Sequence, residues 1–225
     1  MRTRKKSWAK HELISNPRII RNPSEYAYKL SEYFNNNNPI HIEIGCGKGR
    51  FITEISKLEP NINFFAIERD NIILAAAARL AEQECTNNVA FIEFDADNIL
   101  DLFLPGEIKR LYLNFSDPWQ RKKKRAKRRL THSNYLLKYE KLKIPEIFFK
   151  TDNRILFEFS IESFSENGWK LKDISLDLHK SDYENIMTEY EQKFSSQGLP
   201  IYRLVAYSLP INTTVISSPL PFCDV

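Results

Sequence analysis

Long apolar runs are missing from this sequence. No uninterrupted stretch approaches the roughly 20 residues that a membrane-spanning helix needs, and the basic N-terminus runs into no apolar segment of the kind a secretory signal carries. Neither a membrane protein nor a secreted one is expected. Cysteine is scarce: Cys46, Cys85 and Cys223 form neither a metal-ligand spacing nor an even disulfide set, so no metal is expected and a reducing compartment, the cytoplasm, is the default. There is no internal repeat. What is present is a globular composition, 42% hydrophobic and 12% aromatic over 225 residues, enough for one α/β domain with a substantial core. The net charge is only +4, but the basic residues are unevenly placed, and a local cluster matters more to a polyanionic partner than the total.

The chain is organised around Ile40–Phe51, Ile-His-Ile-Glu-Ile-Gly-Cys-Gly-Lys-Gly-Arg-Phe. Ile40, Ile42 and Ile44 suit a strand. Gly45, Gly47 and Gly49 let the backbone turn sharply and approach a ligand closely, and Phe51–Lys57 reads as the helix that follows. Such a strand, turn and helix N-terminus suit a nucleotide-type ligand. Arg50 stands where a dinucleotide fingerprint needs glycine, and Gly49 follows Lys48 where a phosphate-binding loop needs Ser or Thr. The remaining pattern, acidic-x-Gly-x-Gly-x-Gly, resembles the cofactor loop of class I S-adenosylmethionine-dependent methyltransferases. A glycine turn without function is the alternative on this stretch alone.

Further strands are expected at Ile62–Ile67, Val89–Phe94, Leu111–Phe115 and Ile147–Lys150. They end near Glu68, Asp95 with Asp97, Asp117, and Asp152. Ligands of open parallel sheets bind outside the carboxyl ends of the strands, which brings Glu43, Glu68, Asp95 and Asp117 to one crevice. Glu68 follows the glycine turn at the distance of a ribose-binding acid; Asp95 and Asp97 compete for the adenine end. Asp70 is expected to cap a helix through Leu74–Glu84, and Ser24–Phe34, Leu130–Tyr139 and Ile155–Ser165 read as helices. Leu171–Leu178 and Ile201–Leu209 read as an antiparallel pair at the sheet edge. The expected fold is a doubly wound Rossmann-like α/β sheet, mostly parallel with an antiparallel edge strand. Residues 1–21 are expected as a basic arm, 22–210 as a single domain and 211–225 as a tail.

Eight of the nine residues Arg121–Arg129 are Lys or Arg. This run is either a solvated face or a loop that grips phosphates.

At Asn114-Phe115-Ser116-Asp117-Pro118-Trp119, with the basic run ending Lys127-Arg128-Arg129-Leu130-Thr131, the sequence resembles the bacterial tRNA (guanine-N7)-methyltransferases. Phe149–Arg154 and Thr188–Phe194 resemble two further signatures of that family, in its order. The resemblance implies S-adenosylmethionine as cofactor and tRNA as partner, with methyl transfer to a guanosine in the variable loop. It places Glu43, Gly45, Gly47, Glu68, Asp95 and Asp117 at the cofactor and makes Asp117 catalytic. It assigns Asp152, Thr188, Glu189, Tyr190 and Glu191 to the substrate, with Arg121 or Lys122 in place of the family's lysine after the Trp-Pro pair. Lys124, Arg125, Ala126, Lys127, Arg128 and Arg129 are assigned to RNA contact. Trp119 and Tyr190 either stack on guanine or belong to the core. A monomer and a homodimer are both compatible with the sequence.

Rival readings are weaker. A nicotinamide oxidoreductase gains nothing from the basic run, an amino methyltransferase should show a second proline after Pro118, and a non-catalytic RNA-binding protein leaves the glycine turn and its acids without a role.

Overall fold

The computed structural model describes residues 7–119 and 123–208. Eight strands form one sheet: β1 (Ile19–Ile20), β2 (Ile40–Ile44), β3 (Asn63–Glu68), β4 (Val89–Glu93), β5 (Ile108–Asn114), β6 (Glu146–Thr151), β7 (Lys170–Ser175) and β8 (Tyr202–Tyr207). Their order is β1-β4-β3-β2-β5-β6-β8-β7. All pairs are parallel except β6–β8 and β7–β8, so the reversed strand β8 lies between β6 and the edge strand β7. The chain leaves β2 towards β3 on one side and returns to its other side as β5. That reversal opens a crevice at the carboxyl ends of β2 and β5.

Helices α1 (Ser7–Ser15), α2 (Arg50–Leu58), α3 (Asn71–Gln83), α4 (Ser133–Lys141), α5 (Arg154–Glu166) and α6 (Glu189–Ser195) complete the fold. Phe51, Ile52 and Ile55 of α2 and Leu74, Ala77 and Ala78 of α3 pack on Phe64, Ala66, Phe91 and Tyr112. On the opposite face, Tyr135, Leu136 and Tyr139 of α4 and Leu156 and Phe157 of α5 pack on Ile42, Leu111, Leu113 and Phe149. Burial on both faces explains the unalternating apolar runs of β3 and β4, and it leaves His41 and Glu43 of β2 as buried polar side chains. The helix starts were written locally: Asp70 accepts from the N–H groups of Ile72 and Ile73, Asn153 from that of Leu156, and Thr188 and Glu191 form a capping box.

Two expectations are corrected. From Ser7 onward the basic N-terminal segment is packed onto the domain. Glu12 is buried in α1 and meets Arg79 Nη2 of α3 at 2.8 Å, the Arg79 guanidinium covers Trp8, and Ile19–Ile20 pair with β4. Residues 1–6 and the tail from 209 lie outside the described residues. Ser24–Phe34 is not one helix but two 3-10 turns, Pro23–Tyr26 and Leu30–Glu32. Between them Tyr28, at φ 62°, turns its N–H to the Leu102 carbonyl, 2.9 Å away, while Leu30 and the aromatic rings of Tyr33 and Phe34 reach the core. Helix-like apolar spacing here reflects three separate core anchors.

Candidate active site

The glycine turn follows β2. Gly49 sits at φ 80°, and a Cβ there would lie 2.7 Å from the Ala77 Cβ, so the close approach of α2 to α3 requires glycine. Gly45, at φ 79°, has open space where a side chain would stand, on the side that faces the crevice. Beside it, Glu43 is 1% exposed. The Asn114 amide donates to its Oε1 at 2.8 Å, while Oε2 has no hydrogen-bond partner among the described residues. Burial raises the Glu43 carboxyl to about 7; Asn114 and the nearby Lys150 ammonium oppose that rise, and Glu68 adds to it.

Gly45, Glu68, Asp95, Asp97, Asp117, Trp119 and Arg128 border one crevice of about 310 Å³ at the strand ends. Glu68 is held by three backbone N–H groups, those of Arg69 and Asp70 on Oε1 and that of Gly47 on Oε2. Asp95 accepts from the Asp97 N–H and faces Arg69 Nη1 at 3.9 Å. The Tyr135 hydroxyl hydrogen bond first, and then the charge of Lys138, hold Asp97 below the usual carboxylate range. Asp97 is thus committed to α4. A larger cavity, about 760 Å³, lies on the sheet face between α2 and residues 183–186, away from most of these acids.

Asp117 is exposed, and its Oδ1 accepts from the Trp119 N–H at 2.8 Å. The turn that presents it is held in a sparsely populated conformation: Phe115 and Trp119 have φ of 52° and 48°. Two residues of the basic run hold this turn. Arg128 lies over the Trp119 ring, 5.1 Å from its centroid, and Arg129 Nε donates to the Pro118 carbonyl at 2.9 Å while its guanidinium covers Phe159.

Assigning Arg129 to RNA therefore needs correcting. It is 9% exposed, because its delocalised cation is weakly hydrated and packs on an aromatic face. Arg125, Lys127 and Arg128 are exposed, Ala126 is half-buried, and Lys124 belongs to the 3-10 turn Lys123–Arg128. Arg121 and Lys122 lie outside the described residues.

On the other side of the glycine turn stands α6. Lys48 reaches Glu189 at 2.7 Å, Arg50 reaches Gln192 at 2.6 Å, and Thr188, Glu189 and Tyr190 border a second crevice with Glu43 and Gly47. Tyr190 packs against Phe115, ring centroids 5.3 Å apart; burial first, and then the charge of the nearby Asp152, raise its hydroxyl above the ordinary range. Burial raises the Asp152 carboxyl; a backbone hydrogen bond first, and then the Tyr190 hydroxyl, oppose the rise. Glu191 does not face the crevice. It is 0% exposed and engaged by Lys150, His179 and Asn185, so its expected substrate contact is corrected to a supporting position on the buried side of α6.

A family model described as "Putative methyltransferase" matches residues 37–204. A tRNA (guanine-N(7)-)-methyltransferase of Bacillus subtilis (strain 168) is 52% identical over 207 residues, 90% of this chain and 97% of that one. One from Lachnoclostridium phytofermentans is 46% identical over 211 residues, 92% and 98% of the respective chains. The chain belongs to the tRNA (guanine-N7)-methyltransferase family. Solved structures support the fold of this methyltransferase at much lower identity. The 16S rRNA methyltransferase KamB superposes with a TM-score of 0.60 at 14% identity, covering 81% of this chain and 95% of that one. A 16S rRNA adenine methyltransferase from Catenulisporales acidiphilia gives 0.58 at 13%, covering 84% and 94%.

Three contributors were not singled out from the sequence. Asn114 and Lys150 sit inside quoted motifs, but only the fold shows that one bonds Glu43 and the other Glu191. Nothing about Arg69 marks it, apart from its place next to Glu68.

Proposed function

We propose that this enzyme transfers a methyl group from S-adenosylmethionine to N7 of a guanosine in tRNA. The observation that carries the reading is the buried Glu43 carboxylate, with one oxygen unpaired, at a glycine turn whose crevices join three further acidic strand ends to an exposed basic turn. A cationic, ribose-bearing cofactor suits that set of donors. Glu43 and the glycine turn would hold its charged amino-acid end, Glu68 its ribose hydroxyls and Asp95 its adenine end. Bound there, S-adenosylmethionine supplies an electrophilic methyl group on a sulfonium.

The protein's part is alignment. Guanine N7 carries an in-plane lone pair and no proton, so the site needs no strong base and no catalytic His or Cys. Asp117, one oxygen fixed by the Trp119 N–H, orients the base and stabilises the positive charge that the purine gains. Tyr190 and Asp152 border the guanine, with Thr188 and Glu189 at the start of the same helix. Arg125, Lys127 and Arg128 meet tRNA phosphates at the mouth, Lys124 is assigned to the same RNA contact, and Arg121 or Lys122 to the substrate. Among the described residues no group of His, Cys, Asp and Glu could hold a metal ion, and no helix is long and apolar enough to cross a membrane. We place the reaction in the cytoplasm, with tRNA.

Methyl-labelled S-adenosylmethionine and unmodified tRNA test the reading. Nucleoside analysis is expected to find the label in 7-methylguanosine; label on adenine or ribose would contradict the assigned specificity.

A further inference from the structure

Lys150, at the end of β6, is 6% exposed, and all three of its ammonium hydrogens are placed. They go to Glu191 Oε2 at 2.7 Å, to Asn185 Oδ1 at 2.9 Å and to the Ile186 carbonyl at 2.7 Å. Glu191 is equally complete. Its Oε1 accepts from Asn185 at 2.6 Å and lies 3.1 Å from His179 Nε2, and its Oε2 also accepts from the Thr188 N–H. The ammonium lies beside the Phe51 and Phe115 rings, 5.2 Å and 6.0 Å from their centroids.

A buried ion pair of this kind contributes little net stability compared with a hydrophobic pair, but losing one partner strands a charge. Its value lies in fixing one arrangement. What it fixes is identifiable, because residues 183–188 have no helix or strand of their own and they lead into α6. The contacts of α6 with the glycine turn, Lys48–Glu189 and Arg50–Gln192, are exposed, and pairs of that kind hold weakly. The buried node is therefore the principal fastening. Asp152, the residue after the same strand end, lies near Tyr190, so the end of β6 meets α6 at the crevice as well as from beneath.

We propose that Lys150 is a positioning residue for the guanine side of the site: by holding Glu191 and the 185–186 backbone, it sets the pose of α6 in which Tyr190 meets Phe115 and Asp152. This rests on the guanosine-methylating reading for its kinetic consequence, but not for its structural one. Lys150 touches no reacting atom. On the guanine side it acts through the helix.

The full chain is compared as wild type, Lys150→Met, Glu191→Gln and the double variant. Hydrogen exchange is expected to speed at least tenfold in residues 182–196 in each variant, with β2–β5 unchanged. The single-turnover methylation rate is expected to fall at least tenfold while the tRNA dissociation constant stays within threefold, since the phosphate-binding residues lie elsewhere. The double variant should be no worse than the poorer single one. Should Lys150→Met not fold, Glu191→Gln, which keeps the side-chain shape and the Lys150 charge, reads the same three quantities. Unchanged exchange in 182–196, a rate within threefold of wild type, or equal loosening of β2–β5 would overturn the proposal. A wild-type protein that makes no 7-methylguanosine would refute the proposed function instead, and the exchange pattern would still judge Lys150.

Discussion

The Asn114 side-chain amide donates to Glu43 Oε1 at 2.8 Å, linking the carboxyl end of β5 to that of β2 where the strand order reverses. The bond fixes the direction of a carboxylate whose other oxygen has no hydrogen-bond partner among the described residues. It also ties the strand that carries Glu43 to the strand that leads into Asp117.

Glu43, in its proposed cofactor role, is expected to make cofactor affinity pH-dependent. Burial raises its carboxyl to about 7 from an ordinary 4.5, so near neutrality about half of the free protein carries it protonated. A cationic ligand needs the ionised form, so affinity is expected to rise by up to tenfold per pH unit below 7 and to level off above. Glu43→Gln should weaken binding by about 1.5–3 kcal/mol and flatten the profile. The effect on stability has the opposite sign. Because the folded pKa is raised, the Glu43 contribution to folding is greatest at low pH and is lost as pH rises from about 4.5 through 7. Calorimetry at pH 6, 7 and 8 checks the first effect, and thermal unfolding of wild type against Glu43→Gln checks the second.

Glu68 is expected to hold a ribose diol. Glu68→Ala should weaken S-adenosylmethionine binding by about 1.5–3 kcal/mol, the range of a hydrogen bond to a charged group. An unchanged cofactor dissociation constant would remove it from the site. Since its carboxylate also gathers the N–H groups of Gly47, Arg69 and Asp70, Glu68→Gln is the milder companion, expected to lose less.

The basic run divides in two. Arg128→Ala and Lys127→Ala should weaken tRNA binding and lower its log–log salt slope by about one unit for each phosphate no longer neutralised. Arg129→Ala should leave the slope unchanged and cost about 1–3 kcal/mol of stability, because it abandons the Pro118 carbonyl and the Phe159 face. A salt series with thermal unfolding of each variant separates the roles. A flattened slope in Arg129→Ala alone would show that this side chain reaches the RNA.

What was legible in the sequence was local. The glycine turn, the Asp70 cap and the acidic strand ends each declare themselves within a few residues, and the parallel sheet then brings the acids together without further information. Long-range pairings were not legible. Arg129 and Arg128 are adjacent and chemically alike, yet one is buried against Phe159 and the other exposed, a difference set by α5, 30 residues away from Arg129 at Phe159. Glu191 reads as one more acid in a polar signature, and only the position of β6 places it over Lys150. Ser24–Phe34 failed for a related reason: apolar spacing of about four residues also fits a chain that touches the core at Leu30, Tyr33 and Phe34 while turning at Tyr28.

Asp117 is the residue on which cofactor, base and basic turn are proposed to converge, and its substitution is the sharpest probe of the methyl-transfer centre. Single-turnover methyl transfer is measured for Asp117→Ala with saturating tRNA and S-adenosylmethionine. Because Asp117 is exposed and, among the described residues, its side chain holds only the Trp119 N–H, the fold should survive, with an unfolding midpoint near that of wild type. The predicted result is a rate lower by about 100-fold or more, the scale of removing one aligned electrostatic partner from a transition state. A rate close to wild type would contradict the placement of the methyl-transfer centre at this rim.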